Sequence, residues 1–352
     1  MVRIFAACPR YIQGPGALHK LAETTLEIGT RCAIVADAFV LTVVGEQIAE
    51  QYHDAARVFP FSGEITLEAV ERLTGQAAAH GADVVVAMGG GKALDAGKAV
   101  ARRLGLPVVT VPTIASTDAP ASRGIAIYDD SHRLALVEQL VTNPAAVLVD
   151  TSIIASAPVH FLRAGIGDAI AKKFEAEGAF AGGGLNKHGT RPLQAGLIAA
   201  DGCYRALRAH AEGALRAAER GETNEDLEAT VEACFLLSAL GFENTGLSIA
   251  HSVTRGLVKA RQVKDAPHGY HVAYGLMVQF ATEDRDDAAI ADLRCFLRRV
   301  GLPTTLSELG MTDVAACDLD EIARLTMTSP HIGNLGRPVT LDAIRAAIGR
   351  IE

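Results

Sequence analysis

The 352 residues are 49% hydrophobic and 21% charged, with a formal net charge of -8. These values belong to an ordinary globular protein and exclude disorder, collagen-like and coiled-coil architectures. At roughly 150 residues per domain the length points to two domains. An acidic chain with scattered basic residues excludes a nucleic-acid groove, which needs a basic stripe.

Met1–Ala6 starts as a strand and meets Pro9 too early for a signal peptide. No run approaches the roughly 20 apolar residues that span a bilayer, so a cytoplasmic protein without a membrane partner is expected. Short apolar runs follow at Cys32–Ala36, Val84–Met88, Val108–Val111 and Val147–Val149, separated by helical patterns such as Leu67–Ala79 and Lys92–Leu104. Continuous apolar runs are strands buried on both faces, and intervening helices imply parallel βαβ units. After the joint at Thr151–Pro158 the texture changes to long helical stretches, Gly189–Glu212, Asn224–Leu240, Leu247–Val258 and Ile290–Val300. The expected architecture is an α/β nucleotide-binding domain with a parallel sheet over residues 1–155, then an all-helical domain over 156–352. The six cysteines, Cys8, Cys32, Cys203, Cys234, Cys295 and Cys317, form no CxxC pair, and since most sit in apolar company they are expected to be core residues.

Three features of the first half point to a nucleotide. Val84–Lys92 is a strand running into Gly89, Gly90 and Gly91 and then a helix. Glycines let the backbone approach a pyrophosphate, and a helix N-terminus offers amide donors with a positive dipole. The spacing is neither GxGxxG nor a Walker A loop. Asp37 directly follows the strand Cys32–Ala36, where it fits two roles: holding ribose hydroxyls while repelling a 2′-phosphate, or capping a helix over Ala38–Ala49. The loop Val111–Pro120 (VPTIASTDAP) crowds hydroxyl and carboxylate side chains between two prolines, more polar groups than a structural turn needs.

In the second half, Asp168 opens a helix in AGIGDAI, His251 sits inside LSIAHSV, and His268 and His271 lie in PHGYHVA. One Asp and two His make an N/N/O set that zinc or ferrous iron accepts while leaving a position open. Their wide separation carries no spacing signal, and each residue equally suits a cap or a core histidine.

The loop VPTIASTDAP, the turn GGGKALD, the segment AGIGDAIAKKFEAEGA and the stretch GFENTGLSIAHSVTRGL together resemble glycerol dehydrogenase, of the metal-dependent alcohol dehydrogenase superfamily that also contains dehydroquinate synthase. Tyr11-Ile12-Gln13-Gly14 is similar to the family's N-terminal segment, and the resemblance runs over essentially the whole chain. It implies Asp37 on the adenosine ribose of NAD, with Gly90, Gly91 and Lys92 around the pyrophosphate and Asp95 beside them. Thr113, Ser116, Ser122, Gly124 and Tyr128 would complete the NAD site, and Asp118 would touch the substrate hydroxyl. Asp168, His251 and His268 would hold a catalytic zinc, with Fe2+ as the second choice. The implied activity is oxidation of glycerol or a related vicinal diol to the hydroxyketone, and the reverse, by a homo-oligomeric enzyme acting on a small polyol.

The chain departs from the family pattern in two places. Tyr270 and His271 stand where an acidic and then a basic residue are usual, and Gly124, beside Arg123, replaces a larger apolar residue. Both imply a reshaped substrate pocket, and His271 becomes a rival for the last metal position and a candidate proton relay. Arg123 favours a second reading, a reductase of 2-oxo acids or other α-hydroxy compounds. A dehydroquinate synthase-like lyase or cyclase would need more basic residues around a phosphate. A non-catalytic NAD- or sugar-binding protein would not need the metal trio.

Overall fold

The computed structural model describes residues 2–129, 134–260 and 262–352. The chain folds as two compact units, one of Ala6–Ala157 with Ala218–Asn224, the other of Pro158–Ala217 and Glu225–Glu352 together with the N-terminal residues up to Phe5.

In the first unit the apolar runs are strands β2 (Cys32–Asp37), β4 (Val84–Gly89), β5 (Val108–Pro112) and β8 (Ala146–Asp150). With β1 (Tyr11–Gly14) and β3 (Ala56–Phe61) they form a six-stranded parallel sheet in the order β1-β8-β5-β4-β2-β3. The continuous runs hide an alternation. Ala33, Val35, Val85 and Ala87 enter one core, with α3 (Leu67–His80) and α4 (Gly91–Leu104). Cys32, Ile34, Ala36, Val84, Val86 and Met88 enter the other, with α1 (Leu21–Leu26) and α2 (Ala38–Tyr52). Both faces are covered, which is why no charged residue interrupts β2, β4, β5 or β8 before its carboxyl end. A two-stranded antiparallel hairpin, β6 (Gly124–Tyr128) and β7 (Leu134–Gln139), and the short α5 (Thr151–Ser156) complete the unit.

Among the described residues the second unit contains helices and no strand: α6 (Val159–Ile170), α7 (Lys172–Ala181), α8 (Gln194–Glu219), α9 (Glu225–Glu232), α10 (Ser238–Thr245), α11 (Ile249–Leu257), α12 (His268–Thr282), α13 (Asp287–Arg299), α14 (Leu306–Leu309), α15 (Ala316–Thr326) and α16 (Leu341–Ile351). A π turn over Ala233–Leu237 joins α9 to α10. No single helix among the described residues is long and apolar enough to cross a membrane.

Three elements differ from the sequence expectation. Met1 lies outside the described residues, and residues 2–10 form no strand. There the Ile4 amide donates to the Thr190 hydroxyl (3.0 Å) and its carbonyl accepts from Asn186 (2.8 Å), so side chains replace a ladder. The helix expected from Gly189 begins only at Gln194, because the Asn186 side chain accepts from the His188 and Thr190 amides and Pro192 follows. Asp168, expected at the opening of a helix, lies in the last turn of α6.

Candidate active site

The carboxyl ends of β2, β4 and β5 carry the predicted nucleotide groups, as open parallel sheets place their ligands. Gly89 ends β4 at φ +138°, a conformation that favours glycine, and a Cβ there would stand 2.9 Å from Asp37 Cβ. The structure therefore brings Asp37 against the glycine turn. Asp37 caps α2, its Oδ1 accepting from the Phe39 amide (2.9 Å) and the Val40 amide (3.4 Å). A carboxylate has acceptor capacity beyond two such bonds, so capping leaves it able to bind a hydroxyl.

Gly90 and Gly91 start α4, whose first-turn amides lack partners within the helix. A Cβ on Gly90 would meet Ile114 at 2.8 Å, and one on Gly91 would lie 3.8 Å from the Thr117 hydroxyl, so the glycine turn packs on the VPTIASTDAP loop. Thr113 is buried, and its amide donates to the Gly89 carbonyl at 3.1 Å. The Lys92 ammonium is 2.8 Å from Glu64 and 56% exposed, so it pairs with that carboxylate and only its backbone stands in the first turn. Asp95, on the next turn, accepts from the Ala126 amide at 2.9 Å. Ser116 and Asp118 are half-buried in the loop, and Ser122 is buried just beyond it. Tyr128 ends β6, and burial, with the Asp95 and Glu64 carboxylates, pushes its phenol up so that it keeps its proton.

One residue that holds this loop escaped the sequence reading. Lys98 of α4 is fully buried, 2.7 Å from Asp95 Oδ1, and donates to the carbonyls of Ala119 (3.0 Å) and Gly124 (2.6 Å). A buried ammonium is tolerated only when paired and hydrogen-bonded. These partners tie α4 to both ends of the segment carrying Ser122. Arg123 donates to the Gln139 side chain (3.1 Å) and the Val141 carbonyl (3.4 Å), which anchors it to the strand β7 side of the hairpin.

In the helical unit the last turn of α6, the first turn of α11 and the start of α12 bring Asp168, His251 and His268 together. One ligand atom from each lies within 4.8 Å of the others. Asp168 Oδ1 is 3.1 Å from His251 Nε2 and 3.9 Å from His268 Nε2. The α6–α12 crossing is close: a Cβ on Gly167 or Gly269 would run into the Gly269 or the Ala164 carbonyl respectively. The two glycines adjoin Asp168 and His268, so small residues at the crossing set the spacing of two of the three groups.

Glu175 of α7 orders the cluster. Its Oε2 lies 2.6 Å from His251 Nδ1, and its Oε1 accepts from the amides of Ser248 (2.8 Å) and His251 (3.0 Å). A carboxylate on Nδ1 keeps the proton there and turns the Nε2 lone pair toward Asp168, the arrangement that prepares a histidine for a metal. Lys172 joins from the start of α7, 2.6 Å from Asp168 Oδ1 and 3.1 Å from His251 Nε2. A cation thus already sits on the converging lone pairs, which shows that the donors fit a positive ion. Asp168, Lys172 and Glu175 recur at i, i+4 and i+7, a one-faced charged stripe in an alanine- and glycine-rich run that could have been read from the sequence.

The electrostatics favour the ligand forms of Asp168 and His268 but draw His251 toward its cation. Burial pushes the Asp168 carboxyl up, but Lys172 first and then the neighbouring histidines outweigh it and hold it well below the usual range. Glu175, against the same burial, is lowered chiefly by His251. His251 is raised, because Glu175 and Asp168 outweigh the desolvation of the ring. His268 is lowered by desolvation against the pull of Asp168, which favours neutral imidazole at pH 7, while 44% of its side chain stays open to solvent. His271 is 1% exposed and directs Nε2 to the Val263 carbonyl at 2.7 Å, away from the trio.

Residues 8–151 match the model of the iron-containing alcohol dehydrogenases. The chain is 39% identical over 327 residues to the glycolaldehyde reductase of Halobacterium salinarum, covering 92% of this chain and 89% of that protein. It is 40% identical over 335 residues to the glycerol dehydrogenase of Thermotoga maritima, covering 94% and 92%. Among solved structures, a probable glycerol dehydrogenase from Sinorhizobium meliloti superposes with a TM-score of 0.93 at 36% identity, over 99% of this chain and 98% of that one.

Proposed function

The chain belongs to the iron-containing alcohol dehydrogenase family, and within it we propose that the protein oxidises glycerol or a related vicinal diol to the hydroxyketone with NAD, and runs the reverse reduction. The observation that carries this reading is the convergence of the buried Asp168, the half-buried His251 and the solvent-open His268, backed by Glu175. A divalent ion held there, zinc in preference to ferrous iron, supplies a Lewis acid that lowers the pKa of a substrate hydroxyl. Glu175 fixes the His251 tautomer and Asp168 supplies the one negative ligand. The open edge of His268 leaves room for a substrate oxygen.

In the sheet unit Asp37 takes the adenosine ribose, and Gly90, Gly91 and the Lys92 backbone take the pyrophosphate at the start of α4. Asp95 acts through Lys98 on the loop. Thr113, Ser116, Ser122, Gly124 and Tyr128 line the rest of the NAD site, and Asp118 binds the substrate hydroxyl. NAD supplies the hydride-accepting carbon, and these residues orient it. The relatives named as glycerol dehydrogenase and glycolaldehyde reductase share a chemical feature, oxygens on adjacent carbons, and this supports a two-oxygen substrate. The free cysteines support the reducing setting of the cytoplasm.

The test is NAD reduction by chelator-stripped protein, with and without added zinc, on glycerol, 1,2-propanediol, 2,3-butanediol and two 2-hydroxy acids. NADH oxidation with glycolaldehyde runs beside it. Zinc-restored turnover of diols is expected. Turnover confined to hydroxy acids would move the substrate to the carboxylate class, and no zinc response would remove the role given to the trio.

A further inference from the structure

Lys172 occupies an unusual place for a lysine. Its side chain is 2% exposed, one helical turn past Asp168, and its ammonium lies 2.6 Å from Asp168 Oδ1 and 3.1 Å from His251 Nε2. An ammonium only donates, so toward His251 it favours an unprotonated Nε2, the form a metal requires, while Nδ1 faces Glu175 at 2.6 Å. Zinc sits about 2.0–2.2 Å from such oxygen and nitrogen ligands, inside the space that the ammonium fills. Lysine and ion therefore compete for the same two lone pairs.

We propose that Lys172 is the resident cation of the metal-free site, and that a divalent ion binds only by displacing it. This rests on the assignment of Asp168, His251 and His268 as metal ligands. Two carboxylates, Asp168 and Glu175, are buried at 2% and 0% exposure. Without Lys172 only His251, which touches both carboxylates, would be left to offset two buried negative charges, and charge left unpaired there is strongly destabilising. Lys172 removes that penalty and keeps the donors assembled before any ion arrives.

The same charge opposes loading. An ammonium and a divalent ion cannot share one coordination position, and their repulsion in a desolvated site is strong. The displaced ammonium has a nearby berth, the ring of Phe242, whose centroid is 5.5 Å from Nζ. Lys187 stands 5.3 Å from that same ring, so the berth is contested by a like charge. Lys172 thus sets the metal affinity from within the cluster. Neither the size of the core nor the ligand set would reveal this.

The experiment compares chelator-stripped wild type with Lys172→Met, which keeps the stem and removes the charge. Zinc affinity is measured by competition with a chromogenic chelator, and thermal melting is followed with and without zinc. The variant is expected to bind zinc about tenfold tighter or more. It is also expected to melt lower than wild type when metal-free and to gain more on adding zinc. Equal or weaker zinc binding by the variant, with wild type still binding, would overturn this inference and leave the metal site standing. Failure of both proteins to take up zinc would overturn the metal assignment and this inference with it. If Lys172→Met does not fold without metal, Lys172→Gln folded in zinc is challenged with excess chelator. Slower zinc loss than wild type is then expected, and equal or faster loss overturns the idea.

Discussion

At the ends of β2, β4 and β5, what the protein offers a ligand is largely backbone amides, hydroxyls and one helix N-terminus, each placed by the strand just before it. In the helical unit, by contrast, Asp168, Lys172, Glu175, His251 and His268 come from four helices and converge, with the first three buried at 2% exposure or less. Backbone donors are obligatory polar groups that any βα turn leaves over, so the first arrangement adds little desolvation. The second removes whole charges from water and survives only through mutual pairing. A site for a large, spread anion is made from the first kind of material, and a site for a small, concentrated cation from the second.

The sharpest test of that contrast is Asp168→Asn. With the one negative ligand neutralised, metal content measured by mass spectrometry is expected to collapse. Turnover should fall by about a thousandfold or more, since a Lewis-acid ion supplies several kcal/mol, while NAD binding by fluorescence stays within about twofold, roughly the scatter of independent sites. Parallel loss of NAD binding would mean that the division of labour is wrong.

Lys98 is where the sheet unit departs from its own pattern. Lys98→Met leaves Asp95 and the Ala119 and Gly124 carbonyls without their buried donor, and about 3–5 kcal/mol of stability is expected to go. Urea denaturation measures the loss. A cost below about 1 kcal/mol, the worth of a surface pair, would show that the loop is held by something else.

Glu175→Gln tests whether the order of the helical cluster depends on a residue that touches no substrate. Outer partners of metal-binding histidines are worth about 10–100-fold in metal affinity, and zinc titration of the stripped variant reads that change. Unaltered affinity would assign the His251 tautomer to another cause.

The smallest effect concerns Glu138 on β7, paired with Arg103 at 2.6 and 2.7 Å. The Arg103 hydrogen bonds hold its carboxyl below the usual range despite partial burial. The stabilisation is therefore complete above the ordinary carboxylate value, and it is lost as the pH falls through the lowered one. Glu138→Gln is expected to lower the urea midpoint at pH 7 and to show a shallower decline toward pH 3 than wild type. An identical acid limb in both proteins would deny the pair any part in acid stability.

Legibility in the sequence followed the same division. Cys32–Ala36 and Val84–Met88 were readable as strands because each is a continuous apolar run, and their glycine and aspartate ends are local. The strand order was not readable, since Tyr11–Gly14 pairs with Val147–Asp150 far along the chain. The hairpin β6–β7 was missed because β7 is partly exposed and mixes charged with apolar residues. Residue type offered the Asp168–His251–His268 set among other readings, and resemblance was needed to single it out. Glu175 was not reached, because its partner His251 lies 76 positions away and the stripe it shares with Asp168 does not name that partner. Side chains that act through other side chains leave few local marks: Lys98 left none, and the stripe of Asp168, Lys172 and Glu175 marked a helical face without telling what it faces.

The central claim, that Asp168, His251 and His268 hold a divalent ion, is most directly tested by titrating chelator-stripped protein with Co2+ and following its visible absorbance. The account predicts saturation at one equivalent with the intense bands of a low-coordinate nitrogen and oxygen site, abolished in His251→Ala, while NAD still binds. Uptake that does not saturate, or bands that persist unchanged in His251→Ala, would contradict it.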